Sequence, residues 1–230
     1  MASSPSPGQG LQSQICLIPD NAKTAYVKEW VPKGPIPRHA RDFGYCVDFA
    51  VLLPGDLILV SSEPSTFTAR LIRKVQLLGG YHASDAAWEH AAVYVMDDTI
   101  CEATRSGVRI GSIYSYLGTH RIRVRRNPKL TVDERWSLVV NALKSGNYAY
   151  GYSSVIGLAI KSWFGFWTKS RGRRMSYPKR AVYCSELYVD AHVKSCGILL
   201  GNLEGGESTP ASLSKDSKLQ DVSIAWTRIV

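Results

Sequence analysis

Three side chains of the sequence have the types needed for nucleophilic acyl chemistry: Cys184, His90 and Glu102. Cys184 lies in the stretch AVYCSELYVDAH, where a strand-like run gives way to a helical one, so we expect it at the start of a helix. The free N–H groups and the dipole of a helix N-terminus lower the pKa of a thiol. A small buried hydrophobic residue is the other interpretation, because free cysteines are commonly buried.

His90 is the histidine with the best-placed partner in the sequence. It begins the predicted strand HAAVYVM (90–96), and the returning strand TICEAT (99–104) of the same hairpin carries Glu102. A carboxylate beside an imidazole fixes its tautomer and stabilises its protonated form, as the third member of a catalytic triad does. A histidine–glutamate hydrogen bond with no catalytic part is the alternative interpretation.

The other histidines are predicted to be structural. His192 follows Cys184 by eight residues on the same predicted helix, which separates them by about 12 Å along the axis. That distance is too long for a hydrogen bond, so we expect His192 on the surface or in packing. No orienting partner is evident for His39, His82 or His120.

The elements around these residues predict an α+β fold with an antiparallel sheet. Short strands come early, and helices with recognisable ends flank them. Thr131 and Glu134 form the pattern of a capping box, and Ser65 is expected to cap the helix before Gly79. The predicted strands and helices include LILV (57–60), TFTARLIRKVQLL (66–78), HRIRVRR (120–126), VDERWSLVVNALKSG (132–146) and a final strand VSIAWTRIV (222–230).

Composition bounds the class of protein. The 230 residues are 45% hydrophobic and 20% charged, as in globular proteins, and the formal net charge of +9 favours anionic partners. The five cysteines show no metal-ligand spacing such as CxxC, so we expect reduced thiols and neither metal nor cofactor. No Sec signal and no membrane-spanning run is evident, which predicts synthesis in the cytoplasm and leaves a signal-independent export route open.

The chain is predicted to hold one domain with two unusual segments. Residues 1–14 are rich in Ser, Pro, Gly and Gln and are expected to be disordered, and residues 15–230 form the domain. An aromatic and basic insertion at about 152–180 fits an interfacial helix at a phospholipid surface, a lid over an apolar groove or attraction to an anionic wall polymer. It also fits a core helix followed by a solvated basic loop. Nucleic acid is not expected as a partner, because only the charge favours it.

Five motifs, in the order in which they occur, resemble the circularly permuted branch of the NlpC/P60 papain-like cysteine hydrolases, in particular the YiiX/YebB-like group. They are PGDLILV, HAAVYV, ICEAT with the following GVRI, YCSELY and TPASL, and they cover about residues 50–215. The order His, acid, Cys is the permuted one. The resemblance implies a papain-like fold in which a small antiparallel sheet packs against the cysteine helix.

The resemblance also implies residue roles. Cys184 would be the nucleophile, His90 the base and Glu102 the residue that orients the base. We expect substrate contacts from Tyr150, which precedes Gly151 in an aromatic–glycine motif, and from Tyr183 and Trp163. The N-terminal 50 residues and the segment 157–180 depart from the family core, and substrate choice is expected to reside there.

Three functional hypotheses follow. The first is a cysteine amidase or endopeptidase that works through a thioacyl-enzyme on cell-wall peptide amide bonds, as an antibacterial effector secreted without a Sec signal or a phage-type lytic factor. The second is a lipid-directed acyl hydrolase or acyltransferase that uses the same three residues. The third is a membrane- or anion-binding module without catalysis. The sequence does not say whether an inhibitory protein partner exists.

Overall fold

A computed structural model describes residues 28–32, 34–104, 106–147, 184–201 and 208–230 of the chain. Within these ranges the strands are β1 (Glu29–Trp30), β2 (Tyr45–Val47), β3 (Leu57–Ser62), β4 (His90–Met96), β5 (Thr99–Thr104), β6 (Gly107–Ser112), β7 (His120–Arg126), β8 (Gln220–Val222) and β9 (Trp226–Ile229). The helices are α1 (Arg38–Phe43), α2 (Phe67–Leu78), α3 (Ala83–Ala86), α4 (Val132–Lys144), α5 (Cys184–Cys196) and α6 (Pro210–Lys215).

The described strands form two sheets. Six of them make a fully antiparallel sheet in the order β6-β5-β4-β3-β7-β8. A second sheet has the order β1-β9-β2, in which β9 is antiparallel to β2 and parallel to β1. The prediction of an α+β fold with an antiparallel sheet is therefore confirmed.

The large sheet separates two apolar cores because alternate residues of each strand point to opposite faces. On one face Ala91 and Val93 of β4 pack with Leu138 of α4 and Leu187 of α5. On the other face Ala92, Tyr94 and their neighbours pack with residues of β2 and of the loop after β6. Helices α4 and α5 thus cover one face, and the small sheet covers the other.

Local signals in the sequence explain where the helices begin and end. Thr131 and Glu134 form the predicted capping box, with the Thr131 hydroxyl accepting from the Glu134 backbone N–H. Helix α2 ends at Gly79 as predicted, but Thr66 caps its start, so the prediction of Ser65 was wrong by one residue. Both side chains can accept the same bond, and the Thr66 hydroxyl is the one that reaches the Ala69 backbone N–H.

Two arginines of β7, Arg123 and Arg125, are buried on the helix-covered face of the sheet. Arg123 binds the Asp221 carboxylate through Nε at 2.6 Å, and Arg125 donates to the carbonyl of Leu213 at 3.0 Å. These guanidinium groups tie α6 to the sheet and bond with Asp221 of the neighbouring strand β8, and an apolar residue could not satisfy the buried carbonyl of Leu213.

Two predicted segments lie outside the described residues: the disordered stretch 1–14 and the insertion at about 152–180. Among the helices of the described ranges, none has the length and the apolar character needed to cross a membrane.

Candidate active site

The pairing of β4 with β5 brings His90 and Glu102 together. Ala92 lies directly opposite Glu102, and His90 precedes Ala92 by two residues on the same face. Diagonal neighbours of an antiparallel pair are within reach of long side chains, and the small Ala92 leaves the path between them open. The Glu102 Oε2 atom lies 2.8 Å from His90 Nε2.

Glu102 is the centre of a buried polar cluster, with only 1% of its surface exposed. Its Oε2 atom also accepts from the Tyr116 hydroxyl, and its Oε1 atom accepts from Arg109 Nε at 3.0 Å and Nη2 at 2.9 Å. Burial alone would raise the pKa of this carboxyl. The charge and hydrogen bond of His90, with the bonds from Tyr116 and Arg109, outweigh burial and lower the pKa to about 2. Glu102 is therefore ionised near neutral pH.

A glycine on the neighbouring strand makes room for this carboxylate. A Cβ atom added at Gly111 of β6 would lie 2.9 Å from Glu102 Oε1, closer than real Cβ atoms approach. Arg109, two residues earlier on β6, is the direct cross-strand partner of Glu102. Strand β6 therefore supplies both the space and the cation for Glu102.

Cys184 is the first residue of α5 and is nearly buried. Burial would raise the pKa of its thiol, but the charge and hydrogen bond of His90 and the backbone N–H groups of Ala91 and Ser185 lower it. The first free turn of the helix favours the thiolate in the same way. Because His90 Nε2 faces Glu102, Nδ1 is the ring nitrogen left for the thiol.

His90 lies between a carboxylate and a thiol, and both favour its protonated form. Burial lowers the pKa of the imidazole, whereas the charge and hydrogen bond of Cys184, followed by those of Glu102, raise it to about 10. The arrangement thus stabilises a thiolate–imidazolium pair, because each partner shifts the other toward its charged form.

Cys184 lies beside the point where the pairing of β4 with β5 ends. Strand β3 pairs with β4 as far as His90, whereas the β4–β5 ladder starts only at Ala92. Ala91 lies at this opening, and its backbone N–H donates to the sulfur of Cys184.

Side-chain bonds from the first turns of α5 hold the helix in position. The Ser185 hydroxyl donates to the Ser208 carbonyl at 2.8 Å, and the buried Tyr188 hydroxyl donates to the Gly55 carbonyl at 3.0 Å. Gly55 belongs to the turn that begins β3. The first turns of α5 are therefore tied both to the turn before β3 and to the segment before α6.

The structure brings together His90, Glu102 and Cys184. Tyr150, Tyr183 and Trp163, expected to contact substrate, lie outside the described residues. His192 is completely buried rather than on the surface, and its ring bonds to Asn127 and to the Ile198 carbonyl. It is a packing residue, one of the two alternatives predicted.

Two residues beside the site, Arg109 and Tyr116, were missed by the sequence analysis, and a third, His120, was predicted to be structural. Arg109 could have been found, because the turn that pairs Thr104 with Gly107 fixes Arg109 opposite Glu102. Tyr116 follows a 3₁₀ turn after β6, and no local pattern predicts that it folds back onto Glu102. His120 packs edge-on against Tyr116 at 5.0 Å, and its pKa is lowered by burial and by the charge of His90.

Comparison with known proteins supports the fold. No protein-family model matches the sequence, and no curated protein matches it. The crystal structure of the metalloprotein yiiX from Escherichia coli O157:H7 is similar, with a TM-score of 0.50 and 16% sequence identity. The match covers 74% of this chain and 95% of that chain. At this identity the likeness concerns the fold, which is yiiX-like.

Proposed function

We propose that this chain is a cysteine hydrolase that forms a thioester at Cys184. The supporting observation is the row of Glu102, His90 and Cys184, in which the carboxylate binds one ring nitrogen and leaves the other for a thiol at a helix start. Nucleophilic catalysis by cysteine needs this order, because the base must be oriented before it can accept the thiol proton.

The proposed first half-reaction is acylation. His90 accepts the thiol proton of Cys184, and the thiolate attacks the carbonyl carbon of the substrate. The tetrahedral intermediate collapses as its C–N or C–O bond breaks, and His90 gives its proton to the leaving group. The backbone N–H of Cys184, at the helix start, is the proposed donor to the oxyanion.

The second half-reaction releases the acyl group. His90 removes a proton from water, and the resulting hydroxide attacks the thioester carbon. The C–S bond breaks, the thiolate is restored beside the imidazolium, and the acid product leaves. Glu102 keeps its charge throughout, because Arg109 and Tyr116 hold it ionised.

We propose that the fold is the circularly permuted papain-like one of the NlpC/P60 hydrolases. The yiiX-like fold and the order His90, Glu102, Cys184 along the chain support this proposal. The similar crystal structure is named a metalloprotein. Among the residues described for this chain, no group of three or more His, Cys, Asp or Glu could hold a metal ion. Glu102 and Cys184 bind opposite nitrogens of His90 and so do not converge, and no proposed step uses a metal.

The proposed substrate is an amide bond of a cell-wall peptide, as the sequence resemblance implies, which would suit an effector exported without a Sec signal. Lipid acyl groups are the second candidate. The exposed apolar and basic face of α2 favours them, because Gln76 joins this helix to the Trp88 carbonyl, two residues before His90. The remaining alternative is that the same fold binds a membrane or an anion without catalysis.

The test is alkylation of Cys184 as a function of pH, read by mass spectrometry in the wild type and in His90→Ala. The other four cysteines of the chain are internal references. We expect Cys184 to react well below the ordinary thiol pKa of about 8.5 and to lose this reactivity in His90→Ala. An ordinary thiol titration in the wild type would contradict the proposal.

Substrate class is tested separately with purified cell wall and with phospholipid. Release of new amines from wall by the wild type, but not by Cys184→Ala, supports the amidase. Release of fatty acid without new amines supports the lipid alternative. An inert outcome with both substrates, together with ordinary thiol behaviour, would leave only the binding role.

A further inference from the structure

Helix α2 has an outer face that is both apolar and basic. Phe67 is 75% exposed, Leu77 42% and Leu78 54%. The exposed residues between them include Arg70 and Arg73. At about 100° per residue, all five lie on the half of the helix opposite its buried residues, Ala69, Val75 and Gln76.

Charge on this helix is of one sign. Its sequence FTARLIRKVQLL holds three cations and no carboxylate, within a chain whose net charge is +9. A helix that lies in a membrane interface combines large apolar side chains with cations, and the exposed half of α2 carries both. A polyanion without an apolar layer would match the cations but leave Phe67 and Leu78 in water.

A single buried side chain ties α2 to the catalytic cluster. Gln76 donates through Nε2 to the Trp88 carbonyl at 2.8 Å, two residues before His90. Its Oε1 atom accepts from the Ala211 backbone N–H at 2.8 Å, at the start of α6. The stretch just before α6 also holds the carbonyl that accepts from Ser185, the neighbour of Cys184. Gln76 thus joins α2 both to the residues just before His90 and to the start of α6.

We propose that the outer face of α2 binds the surface of a bilayer that contains anionic phospholipid. Phe67, Leu77 and Leu78 enter the boundary between headgroups and acyl chains, and the arginines bind lipid phosphates. The proposal goes beyond acyl transfer because it needs no chemistry at Cys184.

The test is co-sedimentation of the full chain with phosphatidylcholine vesicles, with and without phosphatidylserine. We expect binding only when phosphatidylserine is present, and weaker binding in added salt. Replacing both Phe67 and Leu78 by Ser should weaken partitioning about tenfold. The pair Arg70→Gln and Arg73→Gln should weaken it about fivefold for each cation removed.

Two matched variants serve as controls. Trp136→Ser changes an aromatic residue of α4 that is 43% exposed but lies near Asp133 and Glu134, and it should bind as the wild type does. Cys184→Ala should also bind unchanged, so a failed hydrolase proposal would not affect this result. Equal sedimentation with neutral vesicles, no sedimentation of the wild type, or wild-type binding by both α2 variants would overturn the proposal.

Discussion

A cysteine and a histidine lie close together at each end of helix α5. At the first end the histidine comes from β4, and at the last end it belongs to α5 itself. Cys184 is its first residue and interacts with His90, whereas Cys196 is its last residue and lies 3.5 Å from His192 Nδ1. About 18 Å of helix separates the two cysteines. Proximity of sulfur and imidazole is therefore common to both ends.

The ring of His192 has no capacity left to act as a base for Cys196. Its Nδ1–H donates to the Ile198 carbonyl at 2.8 Å, and its Nε2 accepts from the Asn127 amide at 3.1 Å. The Cys196 thiol donates instead to the His192 carbonyl at 3.2 Å. Burial lowers the pKa of His192, so the neutral ring is favoured.

The difference between the ends lies in the second partner of each ring and in the helix direction. His90 bonds to a carboxylate and keeps one nitrogen for the thiol, whereas His192 spends both nitrogens on neutral groups. The N-terminus of a helix favours a thiolate, and its C-terminus disfavours one. A cysteine–histidine contact is thus a weak indicator of nucleophilic chemistry unless these conditions are also met.

The largest expected effect is that of Glu102→Gln. Loss of the carboxylate removes the charge that favours imidazolium, so hydrolysis should fall by about 10²- to 10⁴-fold. The alkylation midpoint of Cys184 should move to higher pH. Glu63→Gln is the control, because that carboxylate pairs with Arg121 at the surface. Equal loss in both variants would mean that the charge of Glu102 has no special part.

Acid should weaken the fold through the same carboxylate. Its folded pKa of about 2 lies below the ordinary 4.5, so its contribution is fully present above 4.5 and is lost as pH falls through 2. The contribution is on the order of 3 kcal/mol of unfolding free energy. Urea unfolding across this window should show the wild type losing stability more steeply than Glu102→Gln. Parallel curves would contradict the assignment.

At the other end of α5, His192→Ala should lower the free energy of unfolding and leave the reactivity of Cys184 unchanged. The substitution leaves the buried amide of Asn127 and the Ile198 carbonyl without their partner, which should cost about 2 to 3 kcal/mol. Urea unfolding measures the loss, and alkylation of Cys184 measures reactivity. A change in the Cys184 pH profile would remove the distinction between the two ends.

A smaller effect is expected for Tyr116→Phe. The phenylalanine keeps the ring that packs on His120 but loses the hydroxyl that donates to Glu102. We expect hydrolysis to fall about fivefold, as for the loss of one hydrogen bond to a charged group. The alkylation profile of Cys184 should shift slightly upward in pH, which a purely structural role of Tyr116 would not produce.

The smallest effect is predicted for Cys196→Ala. Its thiol makes one bond to a helix carbonyl and orients no other group, so stability should change by about 1 kcal/mol or less. Hydrolysis and Cys184 alkylation should match the wild type. A large loss of activity would show that this end of α5 participates after all.

Local signals predicted the parts of the site that depend on neighbours in sequence. The β4–β5 hairpin, the capping box at Thr131 and the start of α5 at Cys184 were all predicted, and the structure confirms them. Each depends on residues within one hairpin or one helix turn. The catalytic roles of His90, Glu102 and Cys184 remain proposals.

Features that depend on distant segments could not be predicted in the same way. The alternation in HRIRVRR predicted β7 but not that Arg123 and Arg125 are buried, because their partners lie about 90 residues later. The final segment VSIAWTRIV was predicted as one strand. In the structure its first residue ends β8 and the rest contains β9, in different sheets, because β8 extends the large sheet and β9 pairs with β2.

Strand β9 covers a thiol that is far from it in sequence. Cys46 of β2 is fully buried, pairs with Thr227 across 181 residues, and burial raises its pKa to about 11. During translation Cys46 is made long before Thr227, by roughly ten to thirty seconds at ordinary elongation rates. Throughout that interval β9 is unavailable to shield it. Cys46 therefore becomes protected only after Thr227 has been synthesised and β9 has paired with β2.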